Sequence, residues 1–106
     1  MSIFNIFALK DINEGVKLFR ESKDAILLDV RTRDEYASGH IEGSQNLPLD
    51  EIDRADSVIK NKNVPLYVHC LSGGRSARAA AYLRGKGYRE VHDIGGIGSY
   101  KGKTVV

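Results

Sequence analysis

A single cysteine occurs in the 106 residues, and its surroundings differ from those of a cysteine that merely fills a core. Cys70 stands in His69-Cys70-Leu71-Ser72-Gly73-Gly74-Arg75-Ser76, after an apolar run and ahead of an alanine-rich stretch. Two adjacent glycines let the backbone turn tightly and aim successive N–H groups at one point. A helix starting just beyond them adds free donors and a partial positive charge. An arginine near that start is electrostatically unwelcome unless an anion lies between it and the amides. The pattern therefore predicts a cup of donors around one sulfur, built from Leu71, Ser72, Gly73, Gly74, Arg75 and Ser76. Such a cup lowers a thiol pKa and holds the thiolate as a nucleophile.

The size of the loop narrows the chemistry. Cysteine-dependent phosphatases are similar here, but they place one residue more between Cys and Arg. A smaller cup suits a single bound sulfur better than a tetrahedral phosphate. Phosphoryl transfer also needs a general acid for the leaving group, and no aspartate is evidently placed for it. A phosphatase or arsenate reductase stays open as the alternative on these residues.

The elements that must position the loop are legible as alternating periodicities. Asp11 and Glu14 form a capping-box pattern ahead of Ile12, Val16 and Phe19, which predicts an amphipathic helix over 12–22. Ala25 to Asp29 reads as a buried strand, and Thr32 with Glu35 as a second capping box on a short helix stopped by Gly39. Gly43 to Leu47 is a weak strand, and Asp50 is expected to cap a helix through Ile59. Pro65 to His69 is a strong strand, Ser76 to Arg84 a helix, and Arg89 to Ile94 a last strand broken by Gly95-Gly96. Alternation of this kind predicts an α/β domain with a mainly parallel sheet and helices on both faces. Ligands of such sheets sit at the carboxyl ends of the strands, where Asp29 and Cys70 both fall.

Composition sets the outer bounds. A chain of 106 residues is the size of one domain. Residues 1–59 carry a net charge of −5 and residues 60–106 one of +7, so the half that holds Cys70 is basic. That suits a small anion. Nucleic acid is not expected, because the basic residues lack interleaved aromatics. One cysteine precludes an intrachain disulfide, fits a reducing compartment, and offers no zinc cluster. No apolar run reaches the ~18 residues of a membrane span. The apolar start, Met1 to Leu9, is short and lacks a basic region and a cleavage site, so a cytoplasmic location without membrane attachment is expected.

Four segments together resemble the rhodanese sulfurtransferases. Cys70 to Ser76 fits that family's six-residue loop in the Cys-x-x-Gly-x-Arg-Ser form, and Asp29-Val30-Arg31 its Asp-Val-Arg. Glu35-Tyr36 and Gly39 to Pro48 are similar to its Gly-His-Ile-x-Gly segment, with Ser44 where Ala is usual and Leu47 where Ile is usual. Gly95-Gly96 with Tyr100 resembles the terminal Gly-Gly segment, Tyr standing for the usual Trp. The resemblance implies a single rhodanese domain over 5–102 with a central five-stranded parallel sheet. It implies that Cys70 takes sulfur from an anionic donor such as thiosulfate, becomes a persulfide, and passes the sulfur to cyanide or a thiol, including a protein thiol. It implies no metal and no organic cofactor. A persulfide carrier serving a protein partner is the further alternative.

The remaining polar residues carry structural expectations. Asp29 is expected to accept hydrogen bonds at the end of its strand, and Arg31 to pair with Glu35 four residues on. His40 is expected in a signature loop packed under the site. His69 should point away from Cys70 if the strand persists. Arg78, one turn beyond Arg75, is the second candidate for orienting the donor. Ser76 is expected either to touch the sulfur or to cap the helix, and Tyr100 to join the core.

Overall fold

Alternating burial and cap chemistry place the elements, and a computed structural model describes residues 11–106. The apolar start and the first residues of the expected 5–102 domain lie outside the described residues. Helix α1 (Ile12–Glu21) begins where the Asp11 carboxylate accepts the Asn13 N–H at 2.9 Å. Strand β1 (Ile26–Asp29) leads to helix α2 (Arg33–Ser38), whose capping box is complete: Thr32 takes the Glu35 N–H and Glu35 takes the Thr32 N–H. Strand β2 (Gln45–Asn46) follows, then a 3₁₀ segment (Leu49–Arg54) and helix α3 (Ala55–Val58). Strand β3 (Leu66–Cys70) runs into the loop and helix α4 (Gly74–Gly85), and β4 (Val91–Gly96) closes the sheet.

Among the described residues the sheet has four parallel strands in the order β2-β1-β3-β4. The fifth strand implied by the family resemblance is not among them. Both faces of the sheet are covered. Leu28, Val30, Leu66, Val68 and Cys70 pack with Ala79, Ala80 and Leu83 of α4 and with Ile52, Ala55 and Ile59. Leu27, Tyr67 and Ile94 pack on the other face against Ile12 and Val16 of α1 and against Ile41. Each fully buried aliphatic side chain contributes about 1.5–3 kcal/mol, so the two clusters fix the height and direction of β3. Tyr100 is half-buried against the second cluster rather than inside it. No described helix is long and apolar enough to cross a membrane.

Three boundaries depart from the sequence expectations. Pro48, not Asp50, precedes the 3₁₀ turn, and a kink at Glu51 splits the expected helix in two. Helix α4 starts at Gly74, two residues early, because Gly73 adopts φ +111 and feeds the loop straight into the first turn. Gly95 and Gly96 do not break β4. The register shifts once between Val68 and His69, and β4 then pairs Gly95 with His69 and Gly96 with Cys70.

Candidate functional site

β3 ends at Cys70, whose side chain is 1% exposed at the carboxyl edge of the sheet. The Gly73 N–H points at its sulfur at 3.0 Å, and the Ser76 hydroxyl lies 3.5 Å away. Burial pushes the thiol up. The Ser76 hydroxyl and the N–H groups of Ser76, Gly73 and Ser72 outweigh that, and the thiol lies below its ordinary value. The donors of the cup are thus Ser72, Gly73 and Ser76. Leu71 forms the exposed rim, with its carbonyl accepting the Gly98 N–H at 3.0 Å.

The floor of the cup is glycine for a steric reason. A Cβ on Gly96 would sit 2.3 Å from the Leu71 carbonyl oxygen and 2.6 Å from the Ser72 Cα. The loop lies directly on β4, so only a bare backbone fits beneath it. Sequence reasoning took Gly95-Gly96 as a strand breaker and missed this contact. The signal available was a glycine pair after a strand, which also marks a close backbone approach.

Arg75 holds Glu35 in a two-pronged ion pair, Nη1 to Oε1 at 2.7 Å and Nη2 to Oε2 at 2.9 Å. The expected Arg31–Glu35 pair does not form. The capping box turns Glu35 toward the loop, and Arg31 folds back on Asp29 instead, Nη2 to Oδ2 at 2.8 Å. Asp29, at the end of β1, is fully buried and also accepts the Arg31 N–H at 2.9 Å. His69 is buried on the face opposite Cys70, as the alternation required, with Nε2 3.9 Å from Asp29. Burial holds the His69 imidazole below its ordinary pKa despite the Asp29 carboxylate, so it is neutral. The contacts of His40 are with Tyr36, whose ring it stacks on at 3.8 Å and whose carbonyl meets its Nδ1, and with Val105. Arg78 is exposed and lines a groove of about 510 Å³ with Arg75, Val30, Leu49, Ile52 and Tyr82. A groove of that size takes a small organic molecule.

The Glu35–Arg75 clamp has a pH signature. The Arg75 guanidinium lowers the Glu35 carboxyl from 4.5 to about 2, against a smaller opposing effect of burial. A depressed carboxyl contributes stability above its unfolded value, and the contribution fades as pH falls toward the folded one. The side chains are about 30% exposed, so the pair is worth only about 0.5–1 kcal/mol. The melting temperature of Glu35→Gln should lie below that of the native protein at pH 7, and the gap should close as pH drops from about 4.5 toward about 2. A gap independent of pH would show that Glu35 contributes nothing through its charge.

Similarity to known proteins follows the same residues. Residues 13–103 match the family model of the rhodanese-like domain. The chain is 37% identical over 82 residues to YqhL of Bacillus subtilis, covering 76% of this chain and 64% of that protein. It is 39% identical over 79 residues to the thiosulfate sulfurtransferase GlpE of Ectopseudomonas mendocina, covering 71% and 68%. A solved E. coli rhodanese with anions superposes at a TM-score of 0.70 with 30% identity, over 76% of this chain and 96% of that one.

Proposed function

The chain belongs to the rhodanese-like domain family, and from that premise we propose that it is a sulfurtransferase acting through Cys70. The Cys70 thiolate attacks the outer sulfur of an anionic donor such as thiosulfate. A Cys70 S–S bond forms, the donor S–S bond breaks, and sulfite leaves with the electron pair. Cyanide or a thiol then attacks the outer sulfur of the persulfide and regenerates the thiolate. The observation that carries this reading is the sulfur itself, buried at the end of β3 with the Gly73 N–H aimed at it at 3.0 Å. The same donors stabilise the thiolate and the persulfide anion. The loop is one residue shorter between Cys70 and Arg75 than that of cysteine-dependent phosphatases, which disfavours ester hydrolysis.

Arg75 takes the sulfonate end of the donor at the rim, with Arg78 as the second cation along the groove. The groove beside them leaves room for an acceptor thiol larger than cyanide. Cys70 works as a thiol in a reducing compartment, with no metal or organic cofactor in the cycle.

Intact mass before and after thiosulfate tests the reading. The protein should gain one sulfur atom, and cyanide should remove it as thiocyanate. No gain, with hydrolysis of an aryl phosphate instead, would replace this reading with phosphatase chemistry.

Two substitutions probe the parts. Lysine at Arg75 keeps the charge but loses the planar fork that Glu35 grips. Arg75→Lys should raise the KM for thiosulfate about tenfold, the loss of one well-made charged contact, while Cys70 still reacts with a small alkylating agent. An unchanged KM would make Arg75 purely structural. Gly96→Ala places a methyl group against the Leu71 carbonyl and forces the loop to lift. A displacement of about 1 Å at a reacting group costs up to ~100-fold in rate, and persulfide formation followed by mass against time should slow by that order. A native rate in Gly96→Ala would show that the loop is not seated on β4 during the reaction.

A further inference from the structure

The Ser76 hydroxyl has one hydrogen and several neighbours that could take it. Its oxygen is 2.7 Å from Asp93 Oδ1, 3.0 Å from the Gly73 carbonyl, 3.4 Å from the Gly95 carbonyl and 3.5 Å from the Cys70 sulfur, and the carboxylate is both the nearest and the only charged acceptor of these. Ser76 is fully buried and Asp93 is 8% exposed, so water does not arbitrate between them. A hydroxyl bonded to a carboxylate at 2.7 Å is a strong, charge-assisted donor. The hydrogen therefore points at Asp93, and Ser76 presents a lone pair to the sulfur. In that state the sulfur is a thiol: it donates to Ser76 and accepts from Gly73 at 3.0 Å. An ionised sulfur needs the hydroxyl turned the other way.

We propose that Asp93 is a positioning residue for the reacting sulfur, holding the Ser76 hydroxyl while Cys70 is a thiol and releasing it to the sulfur when Cys70 ionises. The proton of the thiol goes to water, and no bond other than hydrogen bonds changes. The carboxylate can give up the hydroxyl because its Oδ1 also accepts the Gly95 N–H at 3.1 Å. The regular register of β4 produces this arrangement: Asp93 pairs with Val68 just before the register shift, on the face that carries Cys70 and that α4 covers with its Ser76. Asp93 thus opposes the amides of the loop and limits how much thiolate the resting protein carries.

The other charged groups near the site stay fixed in the comparison. From α4 comes Arg75, bound to Glu35 of α2. Asp29 of β1, bound to Arg31, pairs with His69 and lies on the face opposite Cys70. On β3 itself His69 lies on the opposite face and is neutral.

The inference rests on Cys70 being the reacting group, yet its test reads the thiol alone. Thiolate absorbance near 240 nm, followed against pH with Cys70→Ser as the baseline, reports one group because the chain has one cysteine. Asp93→Ala should lower the titration midpoint by about one unit, which is ~10-fold more thiolate at a fixed pH below the midpoint. The same change made in a Ser76→Ala background should have no further effect. Should Asp93→Ala fail to fold, Asp93→Asn keeps the volume and offers Ser76 a weaker, neutral acceptor, so its midpoint should also fall, by less. A midpoint unmoved or raised by Asp93→Ala or Asp93→Asn overturns the proposal. So does an undiminished fall in the Ser76→Ala background, since Asp93 would then act on the sulfur without Ser76. A protein that titrates as stated but gains no sulfur from thiosulfate would retain this proposal and lose the sulfurtransferase reading.

Discussion

Treated with thiosulfate, Cys70→Ser is expected to keep its mass while the native protein gains one sulfur atom. The substitution replaces one atom in a fully formed cup. Gly73, Ser72 and Ser76 remain in place and nothing in the core is vacated beyond the difference between sulfur and oxygen. What is lost is the nucleophile. A serine hydroxyl ionises far above the thiol range, and three donors cannot close that gap. The chain has no second cysteine to take over. Removing a covalent nucleophile costs up to about 10⁶ in turnover, so thiocyanate formation from thiosulfate and cyanide should fall to the uncatalysed background. Circular dichroism and the melting temperature should stay close to native, which separates lost chemistry from lost fold. Sulfur gain or thiocyanate formation by Cys70→Ser would mean that sulfur transfer does not pass through Cys70.

How much of this site was readable in advance differs by residue. Cys70, its glycines and Ser76 were legible because the loop is local: turn chemistry and a helix start act within a few positions of one another. Asp29 was legible as a carboxylate at a strand end. The partners that cross between elements were not. Arg31 was paired with Glu35 on spacing alone. Spacing cannot tell that the capping box turns Glu35 away toward a helix forty residues on. Asp93 carried no local signal at all, since its relation to Ser76 depends on which face of β4 packs under a helix seventeen residues earlier in the chain. Gly96 was read as a breaker for the same reason. A glycine required by steric contact and a glycine that ends a strand look alike until the contacting backbone is known. The sheet was legible in its order of elements, from the alternation of short apolar runs with helical periods.

The second large effect concerns stability and follows from the buried pair at the end of β1. Arg31 meets Asp29 with Nε at 3.0 Å from Oδ1 and Nη2 at 2.8 Å from Oδ2, and the same Nη2 donates to the Gly39 carbonyl at 2.8 Å. Both side chains are almost wholly out of water, at 7% and 0% exposure. Arg31→Leu leaves the Asp29 carboxylate buried with one N–H and a neutral imidazole nearby. Breaking a buried pair from one side costs about 3–5 kcal/mol, because the stranded charge loses its partner and regains no water. Against a total stability of roughly 5–15 kcal/mol that is a large fraction. At about 4–8 °C per kcal/mol for a domain of this size, the melting temperature should fall by at least ~12 °C. Removing both charges behaves differently. Asp29→Asn combined with Arg31→Leu keeps an acceptor for the N–H of position 31 and strands nothing, so most of the loss should return. A single variant that loses under ~1 kcal/mol, the value of an exposed pair, would show that water reaches Asp29. A double variant no more stable than the single one would show that the guanidinium is needed for its bond to Gly39. In that case its task is to hold α2, and through Glu35 the clamp on Arg75, against the sheet that carries Cys70.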